Sequence, residues 1–282
     1  LPLPLAVARH RWLSVALEAT CAVFFVWVVS GWINGDTDSQ GDEPVLTVLT
    51  YNLGDGLATP EALVPYLRNS GADVIGLVEV TPHVADALAS QLGNEYPYQE
   101  VRGLGIPGKG LLSRYPIVDA EWLELNPGRP DLRATLDVSG TRVTVFVVHP
   151  PPPHLTSTGI QPRRGTEEQF DRLIDLFAQT EGPLLVVGDF NVTPLHDRYH
   201  QLESLGLVDV FGAVGEGPGF TVPAAISTDA GPQATPHTFA LPPLMRIDYI
   251  WVSPEWQPHE AWVGEGAGSD HLPVLGTVSL GS

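Results

Sequence analysis

From residue 45 onward the chain alternates short apolar runs with amphipathic stretches. "VLTVLTYNL", "DVIGLVEV", "RVTVFVVH", "PLLVVGDF", "RIDYIWVS" and "LPVLGTVSL" have strand length and are rich in β-branched residues, which predicts buried strands. Helical patterns fall between several of them. "TPEALVPYLRNSG" and "TPHVADALASQLG" each open on a threonine, Thr59 or Thr81, with proline at the first helical position, the grammar of a cap and a helix start. "TEEQFDRLIDLFAQT" sets Phe170, Leu173, Ile174 and Phe177 on one helical face. "DLRATLDVSGTRVTVFVVH" reads as a hairpin. Together these predict an α/β fold of two stacked sheets covered by helices.

Ahead of this domain the pattern changes. Residues 12 to 33, "WLSVALEATCAVFFVWVVSGWI", hold 17 apolar residues in 22 and no proline. As a helix the run would be about 33 Å long, enough for a hydrocarbon core of about 30 Å. Trp12 and Trp32 stand near its ends, where interfacial aromatics belong. The run is longer than the apolar part of a signal peptide, and no small-residue cleavage site follows it. The expectation is one transmembrane helix over 12–33. Residues 1–11 then form a cytoplasmic stub or the end of a preceding segment, 34–44 a polar linker, and 45–282 the folded domain. Arg9 and Arg11 precede the run, whereas Asp36, Asp38, Asp42 and Glu43 follow it. That asymmetry puts the domain on the exoplasmic side of a membrane.

Charge narrows the chemistry. The chain has 33 acidic residues against 14 basic ones, a formal net charge of −19, and Lys109 is its only lysine. Such a surface repels polyanions, which argues against a nucleic-acid binder built on basic patches. A phosphate-handling enzyme with this charge would need a divalent cation to offset its own carboxylates. The single cysteine, Cys21, excludes an internal disulfide and a thiolate-rich zinc site.

Several apolar strands carry a polar side chain that a core would not choose. Asn52 closes "VLTVLTYN", Glu79 lies between Val78 and Val80, and His149 continues the period-two series Val143, Val145, Val147. Asp189 and Asn191 end "PLLVVGDFN", and Asp248 shares a face with Ile250 and Val252. "GSDHLPV" sets Asp270 and His271 at the lip of the last strand. Each alone is an ordinary strand end. Gathered in one pocket, Glu79, Asp189, Asp248 and Asp270 would repel one another with few basic partners, and a hard cation with oxygen ligands would relieve that repulsion. In an extended "GDFN", Asp189 and Asn191 point one way and Phe190 the other, offering a proton acceptor beside an amide. In-line attack of water on phosphorus needs such a pairing.

"TYNL", "LVEV", "GKGLLSRYPI", "VVHPPPP", "VVGDFN", "RIDYIWVS" and "GSDHLPV", in this order over residues 45 to 280, resemble the endonuclease/exonuclease/phosphatase superfamily. The resemblance implies a four-layer α-β-β-α sandwich of two stacked mixed sheets with the site at one end. It implies Mg²⁺, with Mn²⁺ as its substitute, held by Glu79 with Asn52 and Asp270. It implies Asp189 as the residue that orients or deprotonates water, Asn191 as the one that steadies water and phosphate, His149 and His271 as phosphate contacts, and Asp248 as the partner of His271. Two departures stand out: Val78 replaces a frequent glutamine before the acid, and Gly54 stands where some nucleases carry a second Asp, with Asp55 adjacent but expected to point elsewhere.

The expected activity is a membrane-anchored, divalent-metal-dependent phosphoester hydrolase acting on a small or lipid-linked substrate. A membrane-anchored nuclease is the alternative, and a non-catalytic phosphate-binding module the third. No sequence feature calls for an obligate protein partner. Arg163 and Arg164 read either as cations for an outer phosphate or as a solvated helix start, and Lys109 as a phosphate contact or a plain hairpin turn. His83, His154, His196, His200, His237 and His259 read as surface residues.

Overall fold

A computed structural model of the chain describes residues 45–156, 159–161, 165–227, 238–240 and 242–281. The expected span 12–33, its flanks and Arg163 and Arg164 lie outside the described residues. Among the described residues no helix is long and apolar enough to cross a membrane.

Sixteen strands and five helices are present among the described residues. One six-stranded sheet contains β1 (Val45–Asn52), β2 (Val74–Val78), β3 (Tyr98–Arg102), β4 (Lys109–Ser113), β15 (Trp256–Val263) and β16 (Val274–Leu280), in the order β15-β16-β1-β2-β4-β3. The other contains β5 (Ile117–Leu123), β6 (Asp131–Val138), β7 (Thr141–Val148), β10 (Leu184–Asp189), β11 (Val208–Asp209) and β14 (Asp248–Val252), in the order β11-β14-β10-β7-β6-β5. Both sheets are mixed: β1 with β2 and β7 with β10 are parallel, and the remaining pairs are antiparallel. Two ribbons stand apart, β8 (His154–Thr156) with β9 (Gly159–Gln161), and β12 (Ala225–Ser227) with β13 (Thr238–Ala240).

Three apolar clusters explain the layers. Leu46, Val48, Val74, Val78, Val143, Val145, Val147, Leu185, Val187, Ile250 and Val252 pack between the sheets. Gly76 marks how closely they approach, because a Cβ there would meet Val187 Cγ2 at 2.2 Å. The opposite parity of the first sheet, Leu49, Tyr51, Ile75 and Leu77, packs under α1 (Pro60–Asn69) and α2 (Pro82–Gln91). The opposite parity of the second, Phe146, Val148, Leu184 and Val186, packs under α3 (Thr166–Gln179) and α4 (Asp197–Ser204). The result is helices, sheet, sheet, helices. α5 (Val210–Val214) is a single short turn beside β15.

On α3, Phe170, Leu173 and Phe177 are buried and Ile174 is half-buried. Thr81 caps α2 by accepting from Val84 N at 3.3 Å, but Thr59 makes no side-chain cap bond. Ser139 and Gly140, both at positive φ, turn β6 into β7 as a tight hairpin.

Candidate active site

The polar residues continue the inter-sheet stripe. Asn52 extends the parity of Leu46 and Val48, His149 that of Val143 to Val147, Asp189 that of Leu185 and Val187, and Asp248 that of Ile250 and Val252. Strand register aligns them: Asn52 opposes Val78, Asp189 opposes Asp248, and Gly188 opposes Val148, one residue before His149. All therefore leave the sandwich at one rim. Glu79 alone falls on the wrong parity, next to Val78. Its backbone adopts φ 59°, a left-handed conformation costly for a residue with a Cβ, and the alternation breaks there.

Asp189 is the hub. Its Oδ2 accepts from Asn52 Nδ2 at 3.0 Å, its Oδ1 accepts from Asn191 N at 2.8 Å, and His149 Nε2 and His271 Nε2 lie 3.6 Å and 3.9 Å from Oδ2. Burial, and then the charge of Asp248, push its carboxyl up to about 7. "GDFN" is not extended. Asn191 sits at φ 53°, turning back on Asp189, and its Nδ2 donates to the Pro150 carbonyl at 3.0 Å. The expected shared direction of the two side chains is thus corrected to a turn in which the Asn191 backbone serves Asp189. Phe190 does point into packing, as the alternation requires.

His271 Nδ1 lies 2.9 Å from Asp248 Oδ2, which also accepts from Thr221 Oγ1 at 2.6 Å. Burial pulls the imidazole down, but Asp248, Asp189 and Asp270 together overcome it and raise it to about 10. His271 is accordingly a cation at neutral pH. His149 is the reverse: burial, with Lys109 and Arg129 nearby, drives it well below its ordinary value and keeps it neutral. The two imidazoles thus hold opposite charge states around one carboxylate.

Glu79 stands 3.7 Å from His149 Nε2. Burial raises its carboxyl, as do Asp270 and Asp55, against a lowering contact with Asn52. Asp55 is closer to the site than expected: it acts on Glu79, and a Cβ on Gly105 would meet its Oδ1 at 2.7 Å. Gly54 keeps the approach open, since a Cβ there would fall 2.6 Å from Asp270 Oδ1, and its N donates to Asn52 Oδ1 at 2.9 Å. Ser269 Oγ donates to the Asn52 carbonyl at 2.7 Å, and Tyr51 OH accepts from Ala267 N at 2.7 Å, pinning the loop of Asp270 and His271 to β1.

The tightest ligand-type group is Asp189, Asp248 and His271, whose donor atoms lie within 4.8 Å of one another. That group is already held by a proton between His271 and Asp248. Asn52, Glu79 and Asp270 would offer a hard divalent cation oxygen donors only, and Glu79 is half-enclosed beside Asn52 and the charge of Asp270.

Lys109 is corrected. It is buried at the start of β4, donating to the Pro130 carbonyl at 2.7 Å and lying 3.4 Å from Asp131 Oδ1, so it faces no phosphate. Asp131 in turn accepts from His149 N at 3.2 Å and from Gln169 Nε2 at 2.7 Å. Arg246, the basic residue nearest the acids in sequence, pairs with buried Asp209. Of the histidines read as surface residues, His83, His196 and His200 are exposed, His259 is half-buried against Ser279, and His154 and His237 have no described side chain.

His271 makes stability pH-dependent. Its folded value near 10 lies above the ordinary 6.5, so its contribution is complete below pH 6.5 and lost as pH rises through about 10. The melting temperature of the chelated chain should fall across that interval, and His271→Asn should flatten the fall. An unchanged slope would refute the imidazolium assignment.

The fold and sequence both have relatives. The model of the Endonuclease/Exonuclease/phosphatase family matches residues 49–271. An endonuclease/exonuclease/phosphatase from Bacteroides vulgatus is 17% identical, with a TM-score of 0.64 over 84% of this chain and 100% of that one. D. rerio TDP2, complexed with a single-strand DNA product, is 17% identical, with a TM-score of 0.58 over 84% of this chain and 100% of its own. A mannosyl-6-phosphatase from Bacteroides thetaiotaomicron is 18% identical, with a TM-score of 0.57 over 83% of this chain and 100% of its own. No curated protein matches the sequence. With 223 consecutive residues under the family model, the chain belongs to the endonuclease/exonuclease/phosphatase family.

Proposed function

We propose that the chain is a divalent-metal-dependent phosphoester hydrolase working on a small or lipid-linked substrate, tethered through residues 12–33 with its domain on the exoplasmic side. The single observation that carries the chemistry is the convergence of Asn52, the Asn191 backbone, His149 and His271 on the buried Asp189 carboxylate.

Asn52 and the Asn191 backbone fix the Asp189 carboxylate, so one oxygen can orient an attacking water and take its proton. His271 presents Nε2 as a charged donor to a phosphoryl oxygen, and Asp248 with Thr221 holds its ring. His149, neutral and braced through its backbone by Asp131, offers a second contact to the same group. Asn52, Glu79 and Asp270 would hold Mg²⁺ or Mn²⁺, which would neutralise charge growing on the phosphoryl oxygens.

The single-strand DNA product on TDP2 favours a nucleic-acid substrate as second reading, and the mannosyl-6-phosphatase favours a small phosphomonoester. The net charge of −19 weighs against the nucleic acid. Initial rates of the purified chain on plasmid DNA, a water-soluble phosphodiester, a sugar phosphate and a phospholipid test the substrate class. Greatest turnover on DNA would replace the first reading, and no turnover on any would end both.

Chelation should abolish activity, and Mg²⁺ or Mn²⁺ should restore it. Glu79→Gln should raise the metal concentration needed for half-activity by at least about 10–100-fold, the usual cost of losing even a group that only supports a ligand. A Glu79→Gln variant with wild-type metal titration would remove Glu79 from the ligand set.

A further inference from the structure

The distribution of exposed apolar side chains is uneven. Among the described residues, the large apolar side chains left open to solvent are Val45, Tyr98, Leu104, Ile106, Val118, Leu195, Phe220, Leu244, Met245 and Trp262. Six of these ten sit on loops at the catalytic rim. Leu104 and Ile106 flank Gly105, which abuts Asp55. Leu195 follows Asn191 by four residues, Phe220 precedes the Thr221 that holds Asp248, and Leu244 and Met245 lead into β14 and Asp248. Leu195 is 91% exposed, Leu244 66% and Leu104 52%, so these side chains stand clear of the surface. The turns at the opposite end are different. "NSGAD" before β2, "SG" between β6 and β7 and "TEGP" before β10 are small or polar.

Isolated exposed leucines need no explanation, but a ring of them around one mouth does. Leu104, Ile106 and Leu195 stand on two loops of their own, whereas Phe220, Leu244 and Met245 lie on two segments joined by the Val222–Met245 bridge, so the tips come from three separate stretches of the rim. A fluid surface accepts scattered tips, each inserting by itself. Charge selects among such surfaces. A chain of net charge −19 with one lysine is repelled by anionic headgroups, so the fitting surface is electrically neutral.

We propose that this rim is a membrane-docking face. Leu104, Ile106, Leu195, Phe220, Leu244 and Met245 insert into a bilayer of zwitterionic lipid and bring the Asp189 site onto phosphoesters carried in that bilayer. The inference rests on the hydrolase reading for its second half only.

The test uses the full chain with Cys21→Ser, reconstituted in phosphatidylcholine vesicles. A fluorophore is placed on Leu195→Cys, on Leu244→Cys, or on Glu181→Cys at the far end of β10. Spin-labelled phosphatidylcholine should quench most of the emission at 195 and 244 and little at 181. Equal quenching at the three positions, or none at 195 and 244, overturns the docking face. Quenching that appears only after a second protein is added assigns the rim to a protein partner and overturns it as well.

The variant Leu195→Asp/Leu244→Asp should lose at least about tenfold in turnover of a long-chain phospholipid in vesicles, the transfer cost of an aliphatic side chain. Its turnover of a water-soluble phosphodiester should be unchanged. Equal loss on both substrates counts against docking. Wild-type chain inactive on every phosphoester, yet quenched at 195 and 244, upholds the docking face and sinks the hydrolase.

Discussion

Asp189→Asn should cut kcat by about a thousandfold or more while making the protein more stable. The variant keeps the shape of the side chain and one oxygen for the Asn191 N–H. It loses the capacity to take a proton from water, the step that a carboxyl near 7 is suited to perform. Stability moves the other way because the wild-type group is almost fully buried and raised by burial and by Asp248. At pH 8 it is ionised at a cost, and the amide pays none of that electrostatic penalty. The gain is set at roughly 1–2 kcal/mol, or about 2–4 °C per kcal/mol for a domain of this size. Calorimetry at pH 8 and kcat at saturating Mg²⁺ check both halves. A variant that keeps a tenth of the activity would take the base role from Asp189. One that melts lower would show that the hydrogen bonds of the carboxylate outweigh its desolvation.

Much of this site is legible in the sequence because it obeys the same alternation as the core. Asn52, His149, Asp189 and Asp248 extend apolar series by steps of two, so a polar residue at that parity has to emerge where the inter-sheet stripe ends. Glu79 is legible as an acid in an apolar strand, but not its orientation, which depends on one left-handed residue that no periodicity announces. The turn at Asn191 is hidden for the same reason. Thr221, Ser269 and Tyr51 are missed because their roles are set by closures across the fold: Thr221 meets Asp248 27 positions away, and Ser269 reaches the Asn52 carbonyl across 217. Nothing local marks a hydroxyl for such a task.

The sheets and helices follow from patterns of 2 and 3.6 residues, which need only neighbours in sequence. Thr59 shows the limit, since cap grammar is present and the cap bond is not. Conversely, the exposed rim leucines look unremarkable in sequence. Only their convergence on one edge gives them meaning.

Lys109→Met should destabilise the chain by about 3–5 kcal/mol, although no lysine appears at the surface of the site. Glycine on both sides suggests a turn, yet β4 begins at Lys109 and is buried along its length. Burial pulls the ammonium down and pushes Asp131 up, and each charge opposes the shift of the other. Without Lys109, Asp131 keeps the donors His149 N and Gln169 Nε2 but loses its ion-pair partner. The loss should therefore be greater at pH 8 than at pH 5, where Asp131 can take a proton instead. Lys109→Met/Asp131→Asn should recover most of the stability, because it removes both charges at similar volume. Urea unfolding of the three proteins at the two pH values measures this directly. Since Asp131 braces the His149 backbone, the single variant should also lower kcat, and the double variant should restore stability more fully than turnover. Equal stability of wild type and Lys109→Met at pH 8 would mean that the pair contributes nothing, and His149 would then need another support.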